Sequence, residues 1–205
     1  MAALSATYRQ FGFAARHAIF GRPNFGTSFA QSGRPHDIMA RHDPRAFSAR
    51  WRAPGRLRAD AGHSLLIALC QDDPQIADVV LTTEEEGVGL VAGAALGGQR
   101  AALLMQSSGV GNCVNMFSLL RNCGFGCIVL ITMRGEFGEF NPWQVPMGTI
   151  TEEVLRLSGF LTYRIETADA VDEVVGAGCD MAFNGNLQVA ILLSQRLIGP
   201  KQWTR

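Results

Sequence analysis

Three carboxylates stand side by side at Glu84, Glu85 and Glu86, and the next twelve residues carry no charge. A glutamate at the mouth of a helix ordinarily stabilises the helix dipole or caps free N–H groups, and Glu84 is assigned that part. Glu85 is harder to place in solvent, because the segment behind it, GVGLVAGAALGG, is apolar and studded with glycine. A carboxyl group in an apolar setting keeps its proton to higher pH and can then donate a hydrogen bond, for instance to a ring nitrogen. Glu85 is therefore the expected buried acid.

Two further clusters carry polar chemistry. QSSGVGN at 106–112 lies between a predicted strand and a predicted helix, where backbone N–H groups could face an anion. It matches neither GxxxxGK[ST] nor GxGxxG, so a tight turn without a ligand is the competing reading. MRGEFGEFNPWQVPMG at 133–148 reads as a long loop holding Arg134, Glu136, Glu139, Asn141, Trp143 and Gln144, stiffened by Pro142 and Pro146. Loops over a rigid sheet are where binding groups usually sit. A solvated connection is the alternative, against which an exposed Trp143 argues.

Something must hold these clusters in place. From residue 60 onward, apolar runs and amphipathic segments alternate. Strands are expected at 78–83, 101–106, 127–133, 161–165 and 188–194, and helices at 63–71, 87–96, 111–123, 150–158 and 169–184. Asp169 is the expected N-cap of the last helix. CIVLITM at 127–133 is continuously apolar, as in a strand buried on both faces of a parallel sheet. The alternation predicts an α/β fold, a doubly wound, mostly parallel sheet flanked by helices. In such sheets ligands bind beyond the carboxyl ends of the strands. Glu84–Glu86, Gln106–Asn112 and Arg134–Gly148 all fall there.

Composition narrows the function classes. Net charge is zero, yet residues 1–59 hold ten arginines against Asp37 and Asp43, or +8, leaving −8 for 60–205. The body therefore lacks the basic surface of a nucleic-acid binder. No uncharged apolar run reaches the ~18–20 residues needed to span a bilayer, and the five cysteines follow no disulfide or metal spacing. A cytoplasmic protein without a metal centre of its own is expected. The segment 1–59 shows no sustained helical or strand period. A disordered tail and an organellar transit peptide both fit its arginine-rich, acid-poor composition, and a shifted reading frame of a GC-rich gene is a third reading that rests on a family resemblance.

TEEEGVGLVAGAALGG, LLMQSSGVGN and MRGEFGEFNPWQVPMG together resemble the pyrimidine-binding subunit of thiamine-diphosphate-dependent decarboxylases. The nearest likeness is to the alpha subunit of sulfopyruvate decarboxylase and its phosphonopyruvate-decarboxylating relatives, over about residues 60–200. The resemblance implies that Glu85 hydrogen-bonds the cofactor's aminopyrimidine and that a 2-oxo acid loses CO2, the cofactor acting as electron sink. It implies cofactor contacts from Gln106, Ser108, Gly109 and Asn112, and substrate contacts from Arg134, Asn141 and Gln144. Arg134 is matched to a sulfonate or phosphonate by charge. DAGH at 60–63 makes Asp60 and His63 candidates for proton transfer, although His63 would also serve as a simple helix cap.

Members of that family hold the diphosphate through Mg²⁺ with a GDG segment, which this sequence lacks. The resemblance thus implies half an active site: an enzyme subunit inactive without a diphosphate-binding beta subunit, in an α₂β₂ or larger assembly. The expected reaction turns sulfopyruvate into sulfoacetaldehyde and CO2, with phosphonopyruvate as the alternative substrate. A non-catalytic binding module of the same fold is a further alternative. The family's first apolar strand and its proline have no counterpart before DAGH. Loss of an interior strand would leave its neighbours' backbone groups unpaired, at ~1–3 kcal/mol each.

Overall fold

The computed structural model describes residues 17–21, 63–73 and 76–199. Asp60, and all of 1–59 apart from 17–21, lie outside them. In chain order the first elements are strand β1 (His17–Gly21), helix α1 (Ser64–Gln71), strand β2 (Ile76–Val80), helix α2 (Glu84–Leu96) and strand β3 (Ala101–Gln106). Helices α3 (Ser107–Cys113) and α4 (Phe117–Cys123) and strand β4 (Cys127–Thr132) follow. Helix α5 (Val145–Leu157), strand β5 (Leu161–Ile165), helix α6 (Val171–Gly185), strand β6 (Gln188–Leu193) and the short helix α7 (Gln195–Ile198) complete the fold.

Strands β3 and β4 are buried from end to end, and β6 from Val189 onward. Their unbroken apolar runs need cover on both faces. β3 pairs with β4, β4 with β6 and β6 with β5, all parallel. The strand alternation sends Leu103, Met105, Val129 and Ile131 to one side, where Val88 and Val91 of α2, Phe117 of α4 and Leu155 of α5 meet them. Ala102, Leu104, Ile128 and Leu130 face the other side, against Leu66 and Cys70 of α1 and Val175 and Cys179 of α6. The result is the three-layer α/β architecture expected from the alternation of elements. Among the described residues, no helix is long and apolar enough to cross a membrane.

The order across the sheet is β2-β1-β3-β4-β6-β5. β1 runs antiparallel to both neighbours, with His17 opposite Val80 on one side and Leu104 on the other. The sequence suggested no element in 1–59, because five residues are too few to display a period. Strand HAIFG nevertheless occupies the interior slot, and it supplies backbone partners to β2 and β3 that would otherwise be missing.

Several expected boundaries shift, and the shifts matter for the site. α2 begins at Glu84 rather than at 87, so all three glutamates lie in its first turn. This helix is not buried all round: Glu84, Gly87, Val88, Val91 and Ala92 face inward, while a Cβ at Gly89 or Gly93 would meet open space. Residues 107–113 form α3 rather than an open turn, and α3 and α4 replace the single helix expected over 111–123. α5 starts at Val145 with Pro146 in its first turn, where the missing N–H costs nothing. Asp169 sits in a 3₁₀ turn, Ala168–Ala170, ahead of α6 rather than at its N-cap.

Candidate active site

The buried acid is Glu84, which corrects the sequence-based choice of Glu85. Glu84 is 2% exposed, Glu85 is half-buried and Glu86 is exposed. One residue along a helix turns the side chain by about 100°, so the start of α2 decides which glutamate faces the sheet. Asn112 Nδ2 donates to Glu84 Oε2 at 2.8 Å. A Cβ at Gly109 would lie 2.5 Å from Glu84 Cγ and 2.6 Å from its Oε1. Gly109 and Asn112 are three residues apart on α3, and a helix puts such a pair on one face. Helical structure in GVGN is thus what aims both residues at the acid. Glu85 keeps an oxygen, Oε2, that is shielded from solvent and accepts no hydrogen bond among the described residues.

Glu84 and Glu85 also mark the neighbouring thiol. Burial first, then the charges of Glu84 and Glu85, push Cys113 up to about 12. This cysteine is a small apolar filler with no thiolate at neutral pH. Cys70, Cys113, Cys127 and Cys179 are buried, and Cys123 is exposed.

The three polar clusters do converge. Asn112 joins the second to the first. Ser107 joins the second to the third: its Oγ accepts from the backbone N–H of Arg134 at 3.1 Å, and its carbonyl accepts from Thr151 Oγ1 on α5 at 3.4 Å. Ser108 Oγ donates to Gln106 Oε1 at 2.9 Å at the end of β3. His63 is buried and stands at the N-cap position of α1, but its side chain makes no capping bond. Instead Nε2 meets the Met105 carbonyl at 3.2 Å. That bond sets the proton on Nε2 and ties α1 to the same rim.

Arg134 is where the loop departs from expectation. Its Nε and Nη2 both reach Glu139, each at 2.6 Å, and the two side chains are 9% and 3% exposed. The guanidinium closes a fork on an internal carboxylate, and those two N–H groups hold the loop. Asn141 does likewise: its Oδ1 accepts from Trp143 N at 3.1 Å and caps the 3₁₀ turn Pro142–Gln144. Gln144 keeps Oε1 shielded and without a hydrogen-bond partner among the described residues. Trp143 is 87% exposed.

The sequence marks Glu139 as one of the loop's polar residues without a role of its own, and Gln195 is not marked at all. Glu139 accepts from Arg134, from the N–H groups of Gly135 (3.3 Å) and Asn141 (3.0 Å), and from Gln195 Nε2 (3.0 Å). Burial pushes its carboxyl up, but the hydrogen bonds and charge of Arg134, with those of the Asn141 amide and Gln195, win and hold it at about 2. The opposite charges at 134 and 139 were a usable signal. Gln195, more than fifty residues away in sequence, offered none. Among the described residues, no group of three or more His, Cys, Asp or Glu side chains is set to hold a metal ion.

A mostly parallel α/β sheet with Glu84 buried at its carboxyl-end rim beside a glycine-bearing helix is the arrangement of α/β domains that bind ligands at strand ends. Comparison with known proteins makes this particular. Sulfopyruvate decarboxylase subunit alpha of Methanococcus maripaludis is 36% identical over 123 residues, 60% of this chain and 74% of that protein. The subunit of the same name from Methanothermobacter thermautotrophicus is 36% identical over 130 residues, 62% of this chain and 78% of that protein. A phosphonopyruvate decarboxylase of Streptomyces viridochromogenes is 38% identical over 87 residues, 42% of this chain and 22% of that protein. No protein-family model matches the chain. The chain belongs to the family of sulfopyruvate decarboxylase alpha subunits.

Proposed function

We propose that this chain is the pyrimidine-binding subunit of a two-chain decarboxylase that uses thiamine diphosphate and converts sulfopyruvate to sulfoacetaldehyde and CO2. The observation that carries the reading is Glu84, a carboxylate buried at the rim, held by Asn112 and closely approached by the Gly109 backbone. This donor set fits an aminopyrimidine. An acid out of water shares a proton strongly with a ring nitrogen, and Gly109 leaves room for the acid where any side chain would displace it. Glu84 takes the part that the sequence pattern gave to Glu85.

The cofactor supplies the electron sink for the bond broken as CO2 departs. The chain's own residues do the rest. Glu84 holds a proton at the pyrimidine, and Asn112 keeps the Glu84 carboxyl group in one orientation. His63, at the same rim, is the proton-transfer candidate, with Gln106 and Ser108 as polar contacts beside it. Gln144 is the substrate-contact candidate of the loop, since its amide oxygen is shielded and has no hydrogen-bond partner among the described residues. Mg²⁺ and the diphosphate belong to a separate beta chain in this reading, and the site is complete only in the hetero-oligomer.

The test mixes the chain with a diphosphate-binding chain, thiamine diphosphate and Mg²⁺, and follows CO2 from sulfopyruvate and, in parallel, from phosphonopyruvate. Sulfopyruvate is expected to be the better substrate by kcat/KM. Glu84→Gln should lower kcat by at least about a hundredfold, in line with loss of a proton-transfer group, whereas Glu85→Gln should retain most of it. Turnover surviving in Glu84→Gln and lost in Glu85→Gln would return the role to Glu85. Preference for phosphonopyruvate would reassign the substrate.

A further inference from the structure

Gln195 opens α7, directly after β6, and is 1% exposed. A fully buried glutamine is expensive unless its amide is satisfied on both ends. Here both ends turn to one loop. Oε1 accepts from the backbone N–H groups of Glu136 (3.2 Å) and Phe137 (3.0 Å). Nε2 donates to Glu139 Oε2 (3.0 Å). The backbone N–H of Gln195 adds a fourth bond, to Glu136 Oε1 at 2.8 Å.

Glu139 continues the chain of contacts. Beyond Arg134 it gathers the N–H groups of Gly135 and Asn141, and Asn141 in turn caps the turn that carries Gln144 into α5. Four loop amides, at 135, 136, 137 and 141, are therefore tied to two side chains. Gly135 has φ +78 and packs so closely against the Gln144 backbone that a Cβ has no room there. The outer carboxylate of the system, Glu136, is paired with Arg164 of β5.

We propose that Gln195, acting through Glu139, is a positioning residue for the reaction: it pins loop 134–144 to the end of β6 and so presents Gln144 to the 2-oxo acid. This rests on the decarboxylase reading above. Gln195 touches neither substrate nor cofactor. Its influence falls on how firmly the loop meets the substrate, and therefore on KM before kcat.

The experiment compares wild type, Gln195→Met, which keeps the bulk and the backbone N–H but removes the three side-chain hydrogen bonds, and Glu139→Gln, which keeps the shape and loses the charge. Each chain is assembled with the diphosphate-binding partner, thiamine diphosphate and Mg²⁺. Two readouts are taken: KM and kcat for sulfopyruvate, and amide hydrogen exchange by mass spectrometry over 134–141. Gln195→Met should raise exchange in that peptide at least tenfold, leave β4 protected, and raise KM about tenfold with kcat changed less than threefold. Glu139→Gln should move both readouts in the same direction by less. If Gln195→Met fails to fold, Glu139→Gln decides by the same criteria. Unchanged exchange in the loop, faster exchange with unchanged KM, or an equal fall in kcat would each overturn the proposal. A wild-type assembly without turnover sinks the decarboxylase reading instead, and exchange alone then decides whether Gln195 holds the loop.

Discussion

Two places at the same rim bury a glutamate, and they treat it oppositely. Around Glu139 the protein surrounds the carboxylate with an arginine fork, a glutamine amide and two backbone N–H groups, and holds the group ionised down to about 2. Around Glu84 the partners include a neutral amide from Asn112 and the bare backbone of Gly109. The first environment satisfies its acid inside one loop and makes it a strut. The second sets the acid at a helix start, against a residue without a side chain. Residue type is the same in both; the partners decide between architecture and chemistry.

The comparison can be broken most forcefully at Arg134. Arg134→Met would leave Glu139 as a buried carboxylate without its cation, a loss of about 3–5 kcal/mol by the usual behaviour of half-removed buried pairs. A denaturant titration measures it. Replacing Glu139 by leucine as well should restore only part of the loss, since the amides of Gly135 and Asn141 and the Gln195 side chain would then lack their acceptor. Full restoration would mean that the pair alone, and not the wider set of bonds, organises the loop.

Acid sharpens the same contrast. The folded-state carboxyl of Glu139 lies below its ordinary value of 4.5, at about 2. Its stabilising contribution is therefore complete above about pH 4.5 and is lost as the pH falls towards 2. At about 1.4 kcal/mol per unit the loss is on the order of 3 kcal/mol. Wild type should lose that increment relative to Glu139→Gln between pH 5 and 2, read from urea midpoints at each pH. Parallel curves would show that Glu139 is not held ionised.

The smallest effect is expected at Gly109. The added methyl of Gly109→Ala would meet the Glu84 side chain, which can swing aside more cheaply than backbone can. Stability should change by less than about 1 kcal/mol, while kcat of the assembled enzyme falls about tenfold as the acid leaves its seat. A thermal melt and a CO2 assay on the same preparation separate the two. Unimpaired turnover would detach Glu84 from the chemistry.

Much of this was legible beforehand, for identifiable reasons. The boundaries of β3 at 101–106 and β5 at 161–165 match the expected strands to the residue. A strand covered on both faces must be apolar at every position, and the ends of β3 are marked by Arg100 and Gln106. The rim was legible as well, because parallel topology gathers the ends of successive strands. Less visible was the start of α2. Thr82-Thr83-Glu84 offers no sharp break in composition, and the apolar run after the glutamates pointed to Glu85 without fixing which of the three faces the sheet. β1 was hidden for another reason. Five residues within an arginine-rich segment carry no period, and only the ladders to β2 and β3 distinguish them.

By itself, the sequence determined the layered α/β fold, the side of the sheet where chemistry can occur and the family, since these rest on repeated patterns that many residues share. The tertiary structure alone decided which of three adjacent acids is most buried, that Arg134 forks onto Glu139, and that Gln195 bonds the loop. Each of those depends on a rotation of about one residue or on a contact between distant segments. Local composition carries no record of either.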